Sequence, residues 1–292
     1  MEPRGLGLIQ VTAGTVLWSF AGLFVRAVDL NVWDLILWRS IFASLCLFAI
    51  ALMRPSNVAT FGWKGLLAAF LSAIAMFCYV ASLTLTTVAN VLIIYATLPF
   101  VAAGLTWIVS KERASKRLLM ASTAALVGIA FVAGTALTGS DVIGNALALV
   151  MTFTFGALLV VIRFYGSLNI IRVNATAALI CACAALPFTS GHVPDAYTFF
   201  IIFLLAFLTT ALAFLFFLFG GRHIASSEAA LIALLDVILG PLWVWIGYAE
   251  NPGYGAMIGG LIVLLSVTWY FWPSLRNGKS AVECKGEPLN EV

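Results

Sequence analysis

The residue best placed to do chemistry is Asp236, which lies in the middle of the apolar segment 225–247. Its carboxylate could carry a coupling proton or hold the ammonium group of a ligand, or it could be a protonated or hydrogen-bonded structural acid. A charged side chain at the centre of a membrane helix costs at least about 2.5–3.5 kcal/mol on insertion scales. We therefore expect Asp236 to face protein or water.

Three apolar segments carry small and polar residues at helical spacing, as on a face that meets another helix or a water-filled cavity. The stripes are Thr12, Thr15, Ser19, Gly22 and Arg26; Ser72, Ala75, Tyr79 and Ser82; and Ser226, Ala229, Ala233, Asp236 and Gly240. Close helix packing would explain any one stripe. The alternative is that all three surround one shared path.

Three aromatic residues, Trp18, Tyr79 and Tyr95, lie deep in apolar segments beside polar residues. Their rings could stack on a flat or apolar ligand or pack against other helices. Asn90 could bind a carboxylate or an amine, or bridge to another helix. We predict Trp18, Tyr79, Asn90, Tyr95 and Asp236 as ligand-binding residues.

Two further residues are candidates for gating or coupling, together with Asp236. Pro99 interrupts the segment 87–109, where it removes a backbone hydrogen bond and favours either a static bend or a hinge. Glu228 lies close to Arg222 and His223 in the sequence, so an inner-gate ion pair or a plain interfacial pair is expected.

Arg39 and Arg26 lie near Asp34 and Asp29 in the sequence. We expect them to form structural ion pairs near the outer surface.

Enzymatic motifs are absent from the sequence. His192 and His223 are far apart, which argues against a metal site or a catalytic pair. No glycine-rich phosphate loop is present, and the five cysteines show no disulfide or metal-ligand spacing. We predict no catalytic residue, no metal and no cofactor, and the scattered basic residues argue against nucleic acid as a partner.

The composition is that of a membrane protein, because 63% of the residues are hydrophobic and only 9% are charged. A membrane helix needs about 20 apolar residues. This rule predicts ten spans, at 6–28, 33–53, 62–82, 87–109, 117–138, 142–163, 173–190, 196–220, 225–247 and 254–273. The expected fold is an all-α integral membrane protein embedded in a lipid bilayer.

The distribution of basic residues predicts the orientation. With the N-terminus in the cytoplasm, thirteen of the fifteen lysines and arginines fall on the inside and the outer loops are acidic or neutral. An even number of spans then places both termini in the cytoplasm.

A weak internal repeat divides the chain in two. At an offset of 138 positions, Trp107 meets Trp245 and Glu112 meets Glu250. Five spans in each half, an odd number, require the second half to be inverted relative to the first. We predict repeats at 1–138 and 139–273 and a polar cytoplasmic tail at 274–292. Inverted repeats are typical of secondary transporters, which bind substrate between the halves.

In each half the fourth span carries an interruption and ends in a glutamate, from Pro99 to Glu112 and from Asp236 to Glu250. In this the chain resembles the drug/metabolite transporter superfamily of EamA type, although Val237 stands where many members have a proline. The resemblance covers the chain up to about Pro273. The segment YVASLTLTTVAN, from Tyr79 to Asn90, and the Trp- and Phe-rich body are similar to those of bacterial exporters of aromatic amino acids.

The resemblance implies ten helices around a central cavity, alternating access, and export of amino acids from the cytoplasm to the periplasm through a bacterial inner membrane. Protons are a possible coupling partner, and the sequence does not fix the oligomeric state. The alternatives are export of another metabolite or drug, such as a nucleobase, a sugar derivative or a cationic compound, or a non-transporting membrane subunit.

Overall fold

The computed structural model describes residues 3–53, 61–86, 88–133, 142–191, 193–249 and 253–277. The helices of these ranges are α1 (Pro3–Ser19), α2 (Ala21–Arg26), α3 (Val32–Met53), α4 (Gly62–Leu85), α5 (Val88–Tyr95), α6 (Leu98–Ser110), α7 (Lys116–Ala133), α8 (Val142–Phe164), α9 (Ile170–Ala185), α10 (Ala196–Leu205), α11 (Ala213–Gly221), α12 (Ser226–Ala233), α13 (Asp236–Tyr248) and α14 (Gly253–Asn277). A 3₁₀ turn, Leu186–Phe188, extends α9, and a π-helical segment, Ala206–Leu212, joins α10 to α11. His192, Glu250 and the tail beyond 277 lie outside the described residues.

Eight helical segments of the described chain are long and apolar enough to cross a membrane, with 19 to 26 residues each. They correspond to all the predicted spans except the fifth and the tenth. In the tenth, α14 contains a shorter apolar helix, Met257–Trp272, and it packs against α7. An all-helical chain with eight candidate spans is thus confirmed, whereas the count of ten stays a prediction.

The fourth and ninth predicted spans are each broken in the middle. We call α5 and α6 the first broken helix, and α12 and α13 the second broken helix. Each boundary of the second lies 138 positions after its counterpart in the first, as with Val88 and Ser226 or Leu98 and Asp236.

Proline explains only one of the two breaks. Pro99 has no N–H to donate to the Tyr95 carbonyl, so the first helix is interrupted just before it. The second break lies at the same place although Val237 replaces the proline, and α13 continues through Pro241. The Gly240–Pro241 pair, one turn later, therefore causes no second interruption. Val237 and Pro241 line a cavity, where water can satisfy the carbonyl that Pro241 leaves unpaired.

Helices of the two halves pack in pairs, α1 against α11, α4 against α8 and α3 against α9. Glycines permit the closest of these approaches. A Cβ atom added at Gly14 would lie 2.7 Å from the Ala213 carbonyl oxygen, and one added at Gly220 would lie 2.6 Å from the Gly7 carbonyl oxygen. These pairs form a frame around the broken helices.

Candidate functional site

A cavity with a volume of about 550 Å³ lies between the two halves of the described chain. Its walls come from α1, α2, α3, α4 and α5 of the first half, and from α8, the π-helical segment, α11 and α13 of the second half. Residues of all three predicted stripes line it, including Ser19, Ser72 and Gly240. The three stripes therefore border one common space, which agrees with the alternative that they surround a shared path.

Four of the five predicted ligand-binding residues line this cavity: Trp18, Tyr79, Tyr95 and Asp236. The fifth, Asn90, is 6% exposed and is not part of the cavity wall. Its amide donates a hydrogen bond to Thr86 Oγ1 at 3.0 Å, and that hydroxyl donates to Asn145 Oδ1 at 2.9 Å. Asn90 therefore bridges between helices, which is the other interpretation given above. Through Thr86, its amide connects α5 to α8.

Trp18 is the centre of an aromatic wall. Its ring centroid lies 4.4 Å from that of Phe214 and 5.7 Å from that of Phe155, both in edge-to-face geometry. All three side chains line the cavity. Edge-to-face packing holds the tryptophan ring in one orientation and leaves the wall apolar, so this wall can receive an aromatic or aliphatic group.

Asp236 is the first residue of α13, directly after the second break. The backbone N–H groups of the next three residues donate to carbonyls of the preceding turn and not to the Asp236 side chain. Asp236 forms no salt bridge or hydrogen bond with the described residues. Its carboxylate is therefore available to a ligand in the cavity.

Arg39 is a cavity residue that the sequence analysis missed. It lies seven residues after the start of α3, about 10 Å along the helix. The expected pair with Asp34 is wrong, because Asp34 accepts hydrogen bonds from the Ser190 backbone N–H, at 3.0 Å, and from the Ser190 hydroxyl. The free-energy cost of inserting a charged residue into the membrane, used above for Asp236, applies equally to an arginine at this depth. This argument from the sequence could have predicted that Arg39 faces the cavity.

Glu228 lies beyond the cavity, in the first turn of α12, and is 4% exposed. It accepts hydrogen bonds from the Arg4 guanidinium and from the Tyr270 hydroxyl, both at 2.8 Å, and from the Ala225 N–H at 3.2 Å. This cluster of Arg4, Glu228 and Tyr270 connects α1, α12 and α14. It brings the start of the first helix and the end of the last helix to the same face of the protein.

The expected partner of Glu228 was wrong, because Arg222 donates to the Leu168 carbonyl instead. The partner that Glu228 does have, Arg4, lies 224 positions away in the sequence.

Within the described residues, the broken helices pack against each other on the Glu228 side. There α6 packs against α12. The equivalent halves on the other side, α5 and α13, both line the cavity, which extends as far as Val25 and Val244. Pro99 is buried in the first turn of α6 and does not line the cavity. The cavity is thus closed toward Glu228 and directed toward the opposite face.

The duplication seen in the helix boundaries is also present in the sequence. The profile of the EamA-like transporter family matches the chain twice, over residues 5–134 and 142–272. The chain belongs to the EamA-like transporter family. Members of this family are transporters of the drug/metabolite type, so a multi-pass membrane protein with a small-molecule substrate agrees with the helices and the cavity.

Solved structures share the fold of this chain. One crystal structure of another protein, 15% identical in sequence, matches 94% of this chain and 99% of its own chain with a TM-score of 0.81. At this identity the likeness shows the fold alone. No curated protein sequence matches the chain.

Proposed function

We propose that this EamA-like protein is a secondary transporter that exports amino acids from the cytoplasm to the periplasm, with broad specificity and a preference for aromatic ones. The observation that carries the proposal is that Asp236 and the aromatic wall around Trp18 border one cavity of about 550 Å³. That volume is within the range of small-molecule sites, roughly 300–1,000 Å³. An ammonium group and a ring on the same substrate would each find a partner there.

Each lining residue has a role in this proposal. Asp236 holds the substrate ammonium through a charge-assisted hydrogen bond. The ring of the substrate packs against Trp18. The hydroxyls of Tyr79 and Tyr95, both cavity residues, can donate to or accept from the polar end of the substrate. Asn90 acts indirectly, because it fixes α5, which carries Tyr95.

In the proposed transport cycle, the contact between the two broken helices moves from one side of the breaks to the other. In this structure α6 and α12 are in contact and the Arg4–Glu228–Tyr270 cluster closes the same side. Because the two halves repeat, the alternative state would bring α5 and α13 together and separate α6 from α12, as in other inverted-repeat transporters. We assign Glu228 to the gate, and Pro99 and Asp236 to the breaks about which the helices rock.

The proposed orientation places the Glu228 face in the cytoplasm of a bacterial cell. Arg4 lies on this face. The order of the helices places three further arginines on the same face: Arg117, Arg163 and Arg222. This agrees with the excess of basic residues on the cytoplasmic side of membrane proteins. The transporter would then have cytoplasmic termini, ten spans in two inverted repeats, 1–138 and 139–273, and a tail at 274–292. The structure would correspond to an outward-directed state in the inner membrane.

A cationic drug or metabolite is the second candidate substrate, because Asp236 alone would suffice to attract it. The test is flux of radiolabelled phenylalanine, tryptophan and threonine into liposomes that contain only the purified protein, with and without a pH gradient. Saturable flux in which the three amino acids compete is expected. Flux of a cationic dye with no amino-acid flux would replace the proposal by the second candidate, and flux of neither would indicate a subunit that needs a partner.

A further inference from the structure

Arg39 and Asp236 are the charged residues that line the cavity in the described chain, and they come from different halves. Arg39 belongs to α3, and Asp236 begins α13. No salt bridge joins them. Tyr79, which also lines the cavity, interacts electrostatically with both of them. The two opposite charges therefore border one space without neutralising each other directly.

Arg39 has no partner of its own in the described chain. Its Nε is buried without a hydrogen bond, and its guanidinium forms no salt bridge. Its electrostatic neighbours are Tyr79 and Cys181, neither of which offers a carboxylate. A guanidinium stays protonated in proteins, and charged groups inside a membrane normally pair with an opposite charge. The missing anion is thus expected to come from a ligand.

We propose that Arg39 binds the carboxylate of the substrate while Asp236 binds its ammonium group, so that the cavity selects zwitterionic α-amino acids. This inference rests on the proposed function and narrows its substrate class. A guanidinium fork matches the two oxygens of a carboxylate and forms paired, charge-assisted hydrogen bonds with it. A zwitterion placed between Arg39 and Asp236 satisfies both charges at once, with its side chain directed to the aromatic wall of Trp18.

The arrangement makes a specific demand on the ligand. An amine without a carboxylate leaves Arg39 unpaired in the cavity, and a carboxylic acid without an ammonium group leaves Asp236 unpaired. A buried polar site rejects an analogue that lacks one of its partners more strongly than it rejects a change of apolar size. The polar groups therefore set the substrate class, and the aromatic wall allows broad variation of the side chain.

The experiment compares three ligands in the purified full chain: phenylalanine, phenylalaninamide, which lacks the carboxylate, and 3-phenylpropionate, which lacks the ammonium group. Equilibrium binding and competition against radiolabelled phenylalanine flux are measured for the wild type, Arg39→Gln and Arg39→Lys. Arg163→Gln is the control, because Arg163 pairs with Glu112 at 2.9 Å outside the cavity. We expect the wild type and the control to prefer phenylalanine over either analogue by about tenfold to a hundredfold.

In Arg39→Gln, the affinity for phenylalanine should fall to that for phenylalaninamide, while binding of phenylalaninamide itself stays within about twofold and shows that the site is folded. Arg39→Lys should restore part of the preference. An equal loss for both ligands, or no loss for either, would overturn the role of Arg39 and leave amino-acid transport standing. A wild-type protein that binds and moves no amino acid would overturn both proposals.

Discussion

The two broken helices have the same backbone and different side chains. In the first, the Phe100 N–H donates to the Thr97 carbonyl at 3.0 Å, and in the second, the Ile238 N–H donates to the Leu235 carbonyl at 3.1 Å. Both helices end in a left-handed residue at equivalent positions, Lys111 with φ 60° and Ala249 with φ 55°. The same break thus forms with a proline in the first half and without one in the second.

The side chains at the break have diverged in their environment. Leu98 and Pro99 lie outside the cavity, whereas their counterparts Asp236 and Val237 line it. The reverse holds for α3 and α9, where the cavity residue Arg39 corresponds to the fully buried Ala177. Each half therefore supplies one charge and fills the equivalent position with apolar packing, so a symmetric frame holds an asymmetric site.

The largest effect is expected at Asp236. Replacing it by Asn keeps the shape of the side chain but removes the charge that, in the proposed function, holds the substrate ammonium. Phenylalanine flux in liposomes should fall by about tenfold to a hundredfold. Leu98→Met is the control at the equivalent position of the other half. Because Leu98 does not line the cavity, phenylalanine flux in this variant should remain that of the wild type. Unchanged flux in Asp236→Asn would contradict the ammonium role, and loss of pH dependence alone would assign Asp236 to proton coupling.

A loss of side-chain preference is expected at Trp18. Trp18→Ala removes the centre of the aromatic wall, so phenylalanine and tryptophan should lose about tenfold in affinity while threonine loses less. Competition among the three amino acids measures the ratio. Trp18→Phe, which keeps a ring against Phe214, should retain most of the preference. An equal loss for threonine would indicate that Trp18 acts through packing only.

A smaller effect, on the gate rather than on binding, is expected at Glu228. Glu228→Gln removes the charge that pairs with Arg4, so the α6–α12 side should open more often. A cysteine placed at Ser227, which is 5% exposed in this structure, should then react several-fold faster with a reagent added on the Glu228 side. Glu112→Gln is the matched control, because it also removes a glutamate from a salt bridge, here with Arg163. The Glu112 side chain is 48% exposed, unlike the buried Glu228. Such exposed pairs contribute about 0–1 kcal/mol, so the control should react like the wild type.

The smallest effect is expected at Pro99. The second broken helix forms the same break with Val237 in place of the proline, so Pro99→Val should leave phenylalanine flux within about twofold of the wild type. The reciprocal variant, Val237→Pro, should likewise keep phenylalanine flux within about twofold of the wild type. A large loss in Pro99→Val would show that the first break, unlike the second, depends on its proline.

The sequence was sufficient for features that depend on periodicity and hydropathy. Apolar runs predict most of the spans, and the helical stripes contain Ser19, Tyr79 and Asp236, which line one cavity. The sequence did not predict ion pairs and hydrogen bonds between residues that are far apart in the chain. Arg4 and Glu228, or Ser190 and Asp34, meet only after the halves pack. Arg39 was assigned to a sequence neighbour, although its depth in α3 excludes the surface.

The measurement that tests the account most directly is reversible cross-linking of the closed side. Arg4 and Glu228 are replaced by cysteines in a chain whose five native cysteines are changed to serine or alanine. A short reducible cross-linker should then hold α1 to α12. The account predicts that phenylalanine flux stops on cross-linking and returns on reduction, while phenylalanine still binds from the opposite, cavity side. Undiminished flux through fully cross-linked protein would contradict alternating access through the Glu228 side.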